Sequence, residues 1–430
     1  MRAVIFKNSV YQLLARILQI LTTLTVTIAI TRYYGAQTFG DFSVVMAYVT
    51  TFYVIGEYGF SVSIVKEISD DLNLLKNKIS NYIFTKLVVS VLVSSIAYLM
   101  LSFMPYETHI KNAIIFSLPV LVVNSLNNLS ITIYQLKKAY KYLFLSTLVS
   151  SLLYLISVWY IVRFISFGTN ALVYIILTFV VSTIIGMLIG FGFLREYLSF
   201  ISYKSVGLKE SFNFLVFTFP FGAYLVVNTL MINIDRLIMS YFLSTVTVGF
   251  YSLAYRIFEV VILLPTFIMN SSYPILLSLN KSKDDKHRFY KLFSHILHIS
   301  FASSIIIAVI SILVFNYVIT SVWGVSMQIS YNYLVILLVF TSIFYITAPL
   351  SYVLIIANKQ KTLLKIYTNG FIFNVILCLI FIPLYGAYAA ALITGVTEAL
   401  ILLLIIYFII KDPNMKLSEF FNIKYLLKRY

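Results

Sequence analysis

The sequence predicts an all-α polytopic membrane protein with twelve transmembrane helices in two similar halves. Three observations lead there. Of 430 residues, 61% are hydrophobic and only 11% charged, with a mean hydropathy of +0.97; soluble domains carry about a quarter charged residues. Apolar runs long enough to cross the roughly 30 Å hydrocarbon core recur along the whole chain. A short glycine-bearing stretch, Arg-Tyr-Tyr-Gly-Ala-Gln-Thr-Phe-Gly-Asp-Phe-Ser from Arg32 to Ser43, returns in weaker form at Val248-Gly249-Phe250-Tyr251-Ser252. Gly249, Tyr251 and Ser252 fall where Gly40, Phe42 and Ser43 fell, with a long apolar run on each side both times. Such an echo predicts two halves, each opening with a pair of membrane helices around a glycine turn. In the first copy, Gly35 and Gly40 are expected to supply the tight bends.

The spans fall near 8–31, 42–65, 81–104, 112–136, 143–165, 171–194, 212–240, 247–278, 292–315, 330–357, 363–382 and 387–410. The first is too long for a signal-peptide core and lacks a small-residue cleavage site, so it reads as a retained helix. Connections are short, and the longest, Arg195 to Ser211, joins the two halves, taken as 1–200 and 201–430. Cys378 is the only cysteine and sits in an apolar run, which excludes an intramolecular disulfide.

Net charge is +16, which raises the question of nucleic acid. Position answers it. Most of the 31 Lys and Arg fall in seven segments on one side: the N-terminus, the five even-to-odd connections and the C-terminal tail. Lys66, Lys76, Lys78 and Lys86 are assigned to one of these connections, and Lys359, Lys361 and Lys365 to another. The exceptions are Arg16, Arg32, Lys111, Arg163, Arg236 and Arg256. This asymmetry places both termini in the cytoplasm with an even helix count. Charge dispersed in separate juxtamembrane clusters does not make a nucleic-acid surface; contact with anionic membrane lipids is a secondary role for it.

The informative charges are those inside the spans: Arg16, Glu57, Asp235, Arg236, Arg256, Glu259 and Glu398. A charge at the bilayer centre costs about 2.5–3.5 kcal/mol on insertion scales, so each should face protein or water. Counting 1.5 Å per residue from the cytoplasmic ends puts Arg16 and Glu57 each roughly 12 Å deep, at one level on adjacent helices. Asp235, Arg256 and Glu259 form a second group nearer the opposite face. Two readings stand side by side. The residues are structural ion pairs between neighbouring helices, or they line a hydrophilic cavity in which arginines hold an anion and carboxylates take a proton or sodium ion. Their spread over both halves favours the cavity.

Other signals are weaker. His295 and His298 are spaced as a metal pair would be, but no Cys, Asp or Glu completes a set. The Asp70-Asp71 and Asp284-Asp285 pairs sit in basic loops and read as solvated charges. No Gly-Lys-Ser/Thr phosphate loop is present, so ATP is not used directly. Among 34 Tyr and 36 Phe, some tyrosines could stack on sugars, while an interfacial belt and core packing account for most.

The run from Asn8 through Arg32, Gly35, Phe39, Gly40 and Gly56 to Gly59 resembles the opening of the polysaccharide flippases of the O-antigen (Wzx) type. These share a superfamily with the lipid II flippases and the multidrug and toxin exporters. Asn233, Asp235, Arg236, Gly249, Tyr251 and Ala254 are similar to the second-half signature of that family, as is Pro383-Leu-Tyr-Gly-Ala-Tyr-Ala-Ala with Gly386 and Glu398. The resemblance implies two six-helix bundles around a central cavity, alternately open to each side. It implies an oligosaccharide repeat unit linked through diphosphate to undecaprenol as substrate, no cofactor, and a polysaccharide polymerase as a possible partner. Arg16 and Arg256, with Arg32 and Arg236, are then the candidates for the diphosphate and sugars; Glu57, Asp235, Glu259 and Glu398 are candidates for cation coupling. The alternatives are a cation-coupled drug exporter of the same superfamily, and a membrane polymerase or lipid-dependent glycosyltransferase. The second usually carries a large periplasmic loop, and no connection on that side here exceeds about fifteen residues.

Overall fold

The structure is a computed structural model that describes residues 2–68, 73–165, 169–198, 206–281, 285–413, 415–422 and 425. Asp70, Asp71 and Asp284 lie outside the described residues. Helices account for nearly all of the described chain, and no strand occurs among the described residues. Contacts divide it into two compact units, Met1–Asn233 and Ile234–Tyr430.

The first unit opens with α1 (Arg2–Glu57), whose apolar continuation reaches Ile68 as a segment of 59 residues. At 1.5 Å per residue that is about 88 Å, nearly three bilayer cores, so it crosses twice. The break is at Gly35 alone, with φ 82° and ψ −176°. Any side chain there would be forced into the left-handed region that glycine tolerates. Gly40, expected to make a second bend, instead lies buried inside the helix. Tyr34 fastens the break by donating from its hydroxyl to the carbonyls of Ile161 and Ile165, both at 3.1 Å.

After Glu57, Tyr58 (φ 46°) and Gly59 (φ 75°) interrupt the chain before α2 (Phe60–Ile68). Then follow α3 (Asn73–Leu101), α4 (Thr108–Ser117), α5 (Pro119–Leu136), α6 (Tyr140–Phe164), α7 (Thr169–Gly192) and the short α8 (Arg195–Leu198). Pro119 begins α5 where its missing N–H costs nothing, so α4 and α5 make one crossing. The main packing is α1 on α6 and α6 on α7. Buried tyrosines tie helices together through carbonyls: Tyr48 donates to Ala97 O at 2.6 Å, and Tyr134 to Gly190 O. The start of α9 (Leu208–Phe242) belongs here too, with Phe214 between Phe60 at 5.7 Å and Tyr82 at 4.8 Å.

The second unit holds the end of α9, then α10 (Thr245–Val261), α11 (Leu263–Lys281), α12 (Lys286–Val318), α13 (Ser330–Val339), α14 (Thr341–Ile356), α15 (Gln360–Tyr385), α16 (Ala387–Lys411) and α17 (Leu417–Phe420). Ser244 caps α10, its side chain accepting from Thr247 N at 3.4 Å. Gly249 is therefore helical, as its counterpart Gly40 is: the repeated glycine marks the first turns of a helix after a break, not the break itself. Helices α13 and α14 form one crossing bent by 51° at Phe340. Among the described residues, ten helices are long and apolar enough to span a membrane, and the bent pair makes eleven. With the first divided at Gly35, the expected twelve crossings are present.

Candidate functional site

In the first unit, the residues expected to meet do not. Arg16 is exposed on α1 and has no ion-pair partner among the described residues; Arg32 is exposed next to the Gly35 break. Glu57 is paired, but with Lys86, whose ammonium lies 2.8 Å from Glu57 Oε2 with no exposed surface. Lys86 was expected in a loop; it lies well inside α3, and its head also donates to Ser125 O at 3.0 Å. Glu57 Oε1 accepts from Ser61 Oγ at 2.5 Å, across the gap between α1 and α2. Nearby, Asn128 donates to Tyr53.

The sequence reading also missed Asp41. It is buried, with Oδ2 3.0 Å from Nε2 of His109, whose Nδ1 faces Glu107 at 3.3 Å. Its place within the Gly-Asp-Phe-Ser run, taken as a polar turn, hid it.

The face of α1 that carries Arg16 has a pattern of its own. At about 100° per residue, Gln12, Arg16, Gln19 and Thr23 fall within roughly 60° of arc. The first three are exposed and Thr23 is half-exposed. Ala15, Thr22 and Val26 form the packed face beside them, all under 9% exposed. On the far side, Val10, Leu13, Leu14, Ile17 and Leu21 are exposed and apolar. One membrane-length helix thus has a packed sector, a polar exposed sector and an apolar exposed sector. Polar groups in hydrocarbon are costly, so the apolar sector suits lipid and the polar sector needs water or a polar ligand.

In the second unit, the candidates do gather. Asp235, 1% exposed at the end of α9, accepts from Tyr251 on α10 and from Thr394 on α16 at 3.4 Å. Its other oxygen, Oδ1, is buried without a hydrogen-bond partner among the described residues. The neighbouring Arg236 reaches Glu259 at 3.3 Å and stands over the Tyr255 ring at 4.9 Å. Glu398 lies on α16, 8% exposed, one turn after Thr394. Arg256 is half-buried on α10, beside Tyr255. Further along the same crossing Asn270 is exposed and accepts from Tyr352 Oη at 2.6 Å. Buried carboxylates are costly unless hydrogen-bonded or paired. Glu259 has a partner charge, whereas Asp235 keeps one lone-pair face open, suited to a proton or a small cation.

His295 and His298 each direct Nδ1 to a carbonyl of their own helix, at 2.7 Å to Lys291 O and Ser294 O. Asp285 pairs with Arg288 at 3.3 Å.

The model of the polysaccharide biosynthesis protein family matches residues 5–280, and the MatE model matches residues 220–380. No match is found among curated proteins. Among solved structures, the chain is similar to lipid II flippase MurJ in an inward closed conformation, with 17% identity and a TM-score of 0.75 over 98% of this chain and 91% of that one. It is similar to an inward-facing multidrug resistance MATE family transporter of the MOP superfamily, with 13% identity and a TM-score of 0.71 over 90% and 93%. A third is a MOP superfamily transporter from Pyrococcus furiosus, described by a binding pocket of reverse polarity, at 13% identity and a TM-score of 0.60 over 94% of both chains. At these identities the likeness establishes a shared fold.

Proposed function

The chain belongs to the polysaccharide biosynthesis protein family, and from that premise we propose that it is a flippase, not an enzyme. It carries an undecaprenyl-diphosphate-linked oligosaccharide repeat unit, of O-antigen or a similar surface polysaccharide, across the bacterial inner membrane by alternating access. Both termini lie in the cytoplasm, as the Lys and Arg distribution supports. Sugars and a diphosphate cannot enter hydrocarbon unaided, because unpaired polar and ionised groups cost far too much there. A helix that shows one face to lipid and one to water can hold the polar head while the polyprenyl tail stays in the bilayer.

The observation that carries this reading is the polar sector of α1. Its one charge is the Arg16 guanidinium, which can hold a phosphate bidentately. No carboxylate shares the sector, which favours an anionic cargo over the organic cations of a drug exporter. Arg256 serves the same role in the second unit, with Arg32 and Arg236 as further contacts. Asp235, with its open oxygen, is the leading candidate for a coupling proton or sodium ion, ahead of Glu259, Glu398 and Glu57. A polysaccharide polymerase would take the product on the far side.

Arg16→Ala and Arg256→Ala test this. Each is expected to abolish surface polysaccharide in a strain lacking the native chain, with membrane protein levels near wild type. Wild-type polysaccharide in both variants removes the diphosphate-binding role.

A further inference from the structure

Arg163 is one of the basic residues that stand apart from the basic loops, and the proposed function leaves it without a role. It lies at the end of α6, exposed, with no ion-pair or hydrogen-bond partner among the described residues. It borders a recess of about 180 Å³ between α6 and the first crossing of α1. The floor is apolar: Val26 and Val158 are buried, with Ala29 and Leu155 half-buried beside them. The mouth is amphipathic, for Tyr33 and Trp159, both more than half exposed, stand there with Arg163. Tyr34, the neighbour of Tyr33, donates to the carbonyls of Ile161 and Ile165, which brings Tyr33 level with Arg163. From Thr25 to Tyr33 the α1 wall rises about 12 Å, and from Leu155 to Arg163 the α6 wall rises as far. An interfacial belt explains single rings at such a depth. It does not explain an unpaired guanidinium beside them, on the side that basic residues avoid.

We propose that this recess binds one anionic glycerophospholipid of the outer leaflet, with its phosphate on Arg163 and one acyl chain along the floor. The cargo of the chain does not enter; the orientation given above only names the leaflet. Position supplies the kind of occupant. On α1 the recess begins one turn beyond Leu21, in the apolar sector that suits lipid, and on α6 it continues the face of the exposed Leu152 and Ile156. An apolar recess at that depth takes hydrocarbon, since water in it would lack polar partners. Charge then selects the head group. A guanidinium holds a phosphate bidentately. The Trp159 indole N–H and the Tyr33 hydroxyl, neither with a partner among the described residues, are further donors. A zwitterionic head group would bring an ammonium beside Arg163, whereas phosphatidylglycerol brings only hydroxyls and a net negative charge.

The test reads the two tryptophans of the full chain, Trp159 and Trp323, in phosphatidylcholine vesicles. Two quenchers are compared, phosphatidylglycerol and phosphatidylethanolamine, each brominated on one acyl chain near the glycerol. The emission that Trp159→Phe removes should be half-quenched by about one fifth as much brominated phosphatidylglycerol as brominated phosphatidylethanolamine. Trp323, buried in the second unit, is the internal reference and should not tell the two lipids apart. Arg163→Gln should bring the two curves together. Arg163→Lys, which keeps the charge but not the fork, should keep part of the separation. Equal quenching of Trp159 by both lipids in the wild type overturns the site and leaves ordinary boundary lipid. A preference that survives Arg163→Gln overturns it as well. So does undecaprenyl phosphate displacing the brominated lipid at a lower mole fraction than plain phosphatidylglycerol, which would give the recess to the polyprenyl carrier.

Discussion

Lys86 donates to Glu57 Oε2 across 2.8 Å from a side chain with no exposed surface. Its second acceptor is the Ser125 carbonyl at 3.0 Å, and the Phe60 ring lies under it at 5.4 Å. The pair links the end of α1 to α3 and α5 where the backbone turns through Tyr58 and Gly59. Removing one member of a buried pair strands the other and costs about 3–5 kcal/mol. Glu57→Gln and Lys86→Met should each lower the melting temperature in detergent markedly, followed by size-exclusion after heating. The double variant should be more stable than the sum of the two losses. Simple additivity would show that the two residues are not coupled.

Asp235 depends on Tyr251. The tyrosine hydroxyl donates to Oδ2, while Thr394 contributes a longer bond of 3.4 Å. Tyr251→Phe should cost about 1–3 kcal/mol, and Thr394→Val less. The order of the two melting temperatures checks this; a reversed order would move the main support of the carboxylate to α16.

Two glycines in α15 and α16 face different obstacles. A Cβ on Gly395 would lie 2.1 Å from the Phe340 ring, at the bend between α13 and α14. A Cβ on Gly370 would meet Cγ1 and Cδ1 of the buried Ile401 at 2.7 and 2.9 Å, an aliphatic branch that can turn aside where a ring cannot. Gly395→Ala should therefore destabilise by about 1–3 kcal/mol, and Gly370→Ala by clearly less. Equal effects in thermal unfolding would show that the bend at Phe340 gives way as easily as an isoleucine.

At the C-terminal tail, Tyr425 donates to Glu419 at 2.5 Å. That bond holds the Glu419 carboxyl below its usual value, and burial with Glu419 pushes Tyr425 up to about 12. The Glu419 contribution to tail docking is present above the ordinary carboxylate value and is lost as pH falls through the lower folded value. The Tyr425 contribution is complete below its ordinary value and is lost as pH rises through about 12. Tyr425→Phe should raise the Glu419 titration midpoint, read by carbon NMR of labelled glutamate side chains. An unchanged midpoint would exclude the tyrosine as its cause.

The crossings were legible because apolar length is a property of local sequence. The second group was legible only in part: Asp235, Arg256 and Glu259 were expected together, and the structure sets Arg236, not counted in that group, against Glu259. Lys86 was not. It stands near the start of an apolar run, where a lysine at the membrane surface has the same sequence signature as one tied inward. Its register in α3 decides, and that register depends on where the helix begins, at Asn73 rather than near residue 81. The Gln12 and Gln19 face was readable in principle from spacing alone, but neutral amides do not stand out as charges do. Asp41 was hidden because Gly35 and Gly40 together signal a polar turn, whereas the backbone breaks at Gly35 alone and the helix runs on through Asp41.

The three-sector division of α1 fixes its rotational setting. One residue inserted between Ala15 and Arg16 would advance everything beyond by about 100°, swinging the guanidinium into acyl chains while Ala15 stayed docked. A deletion would drive it against α6 instead. The first crossing should therefore tolerate changes of side chain far better than changes of length.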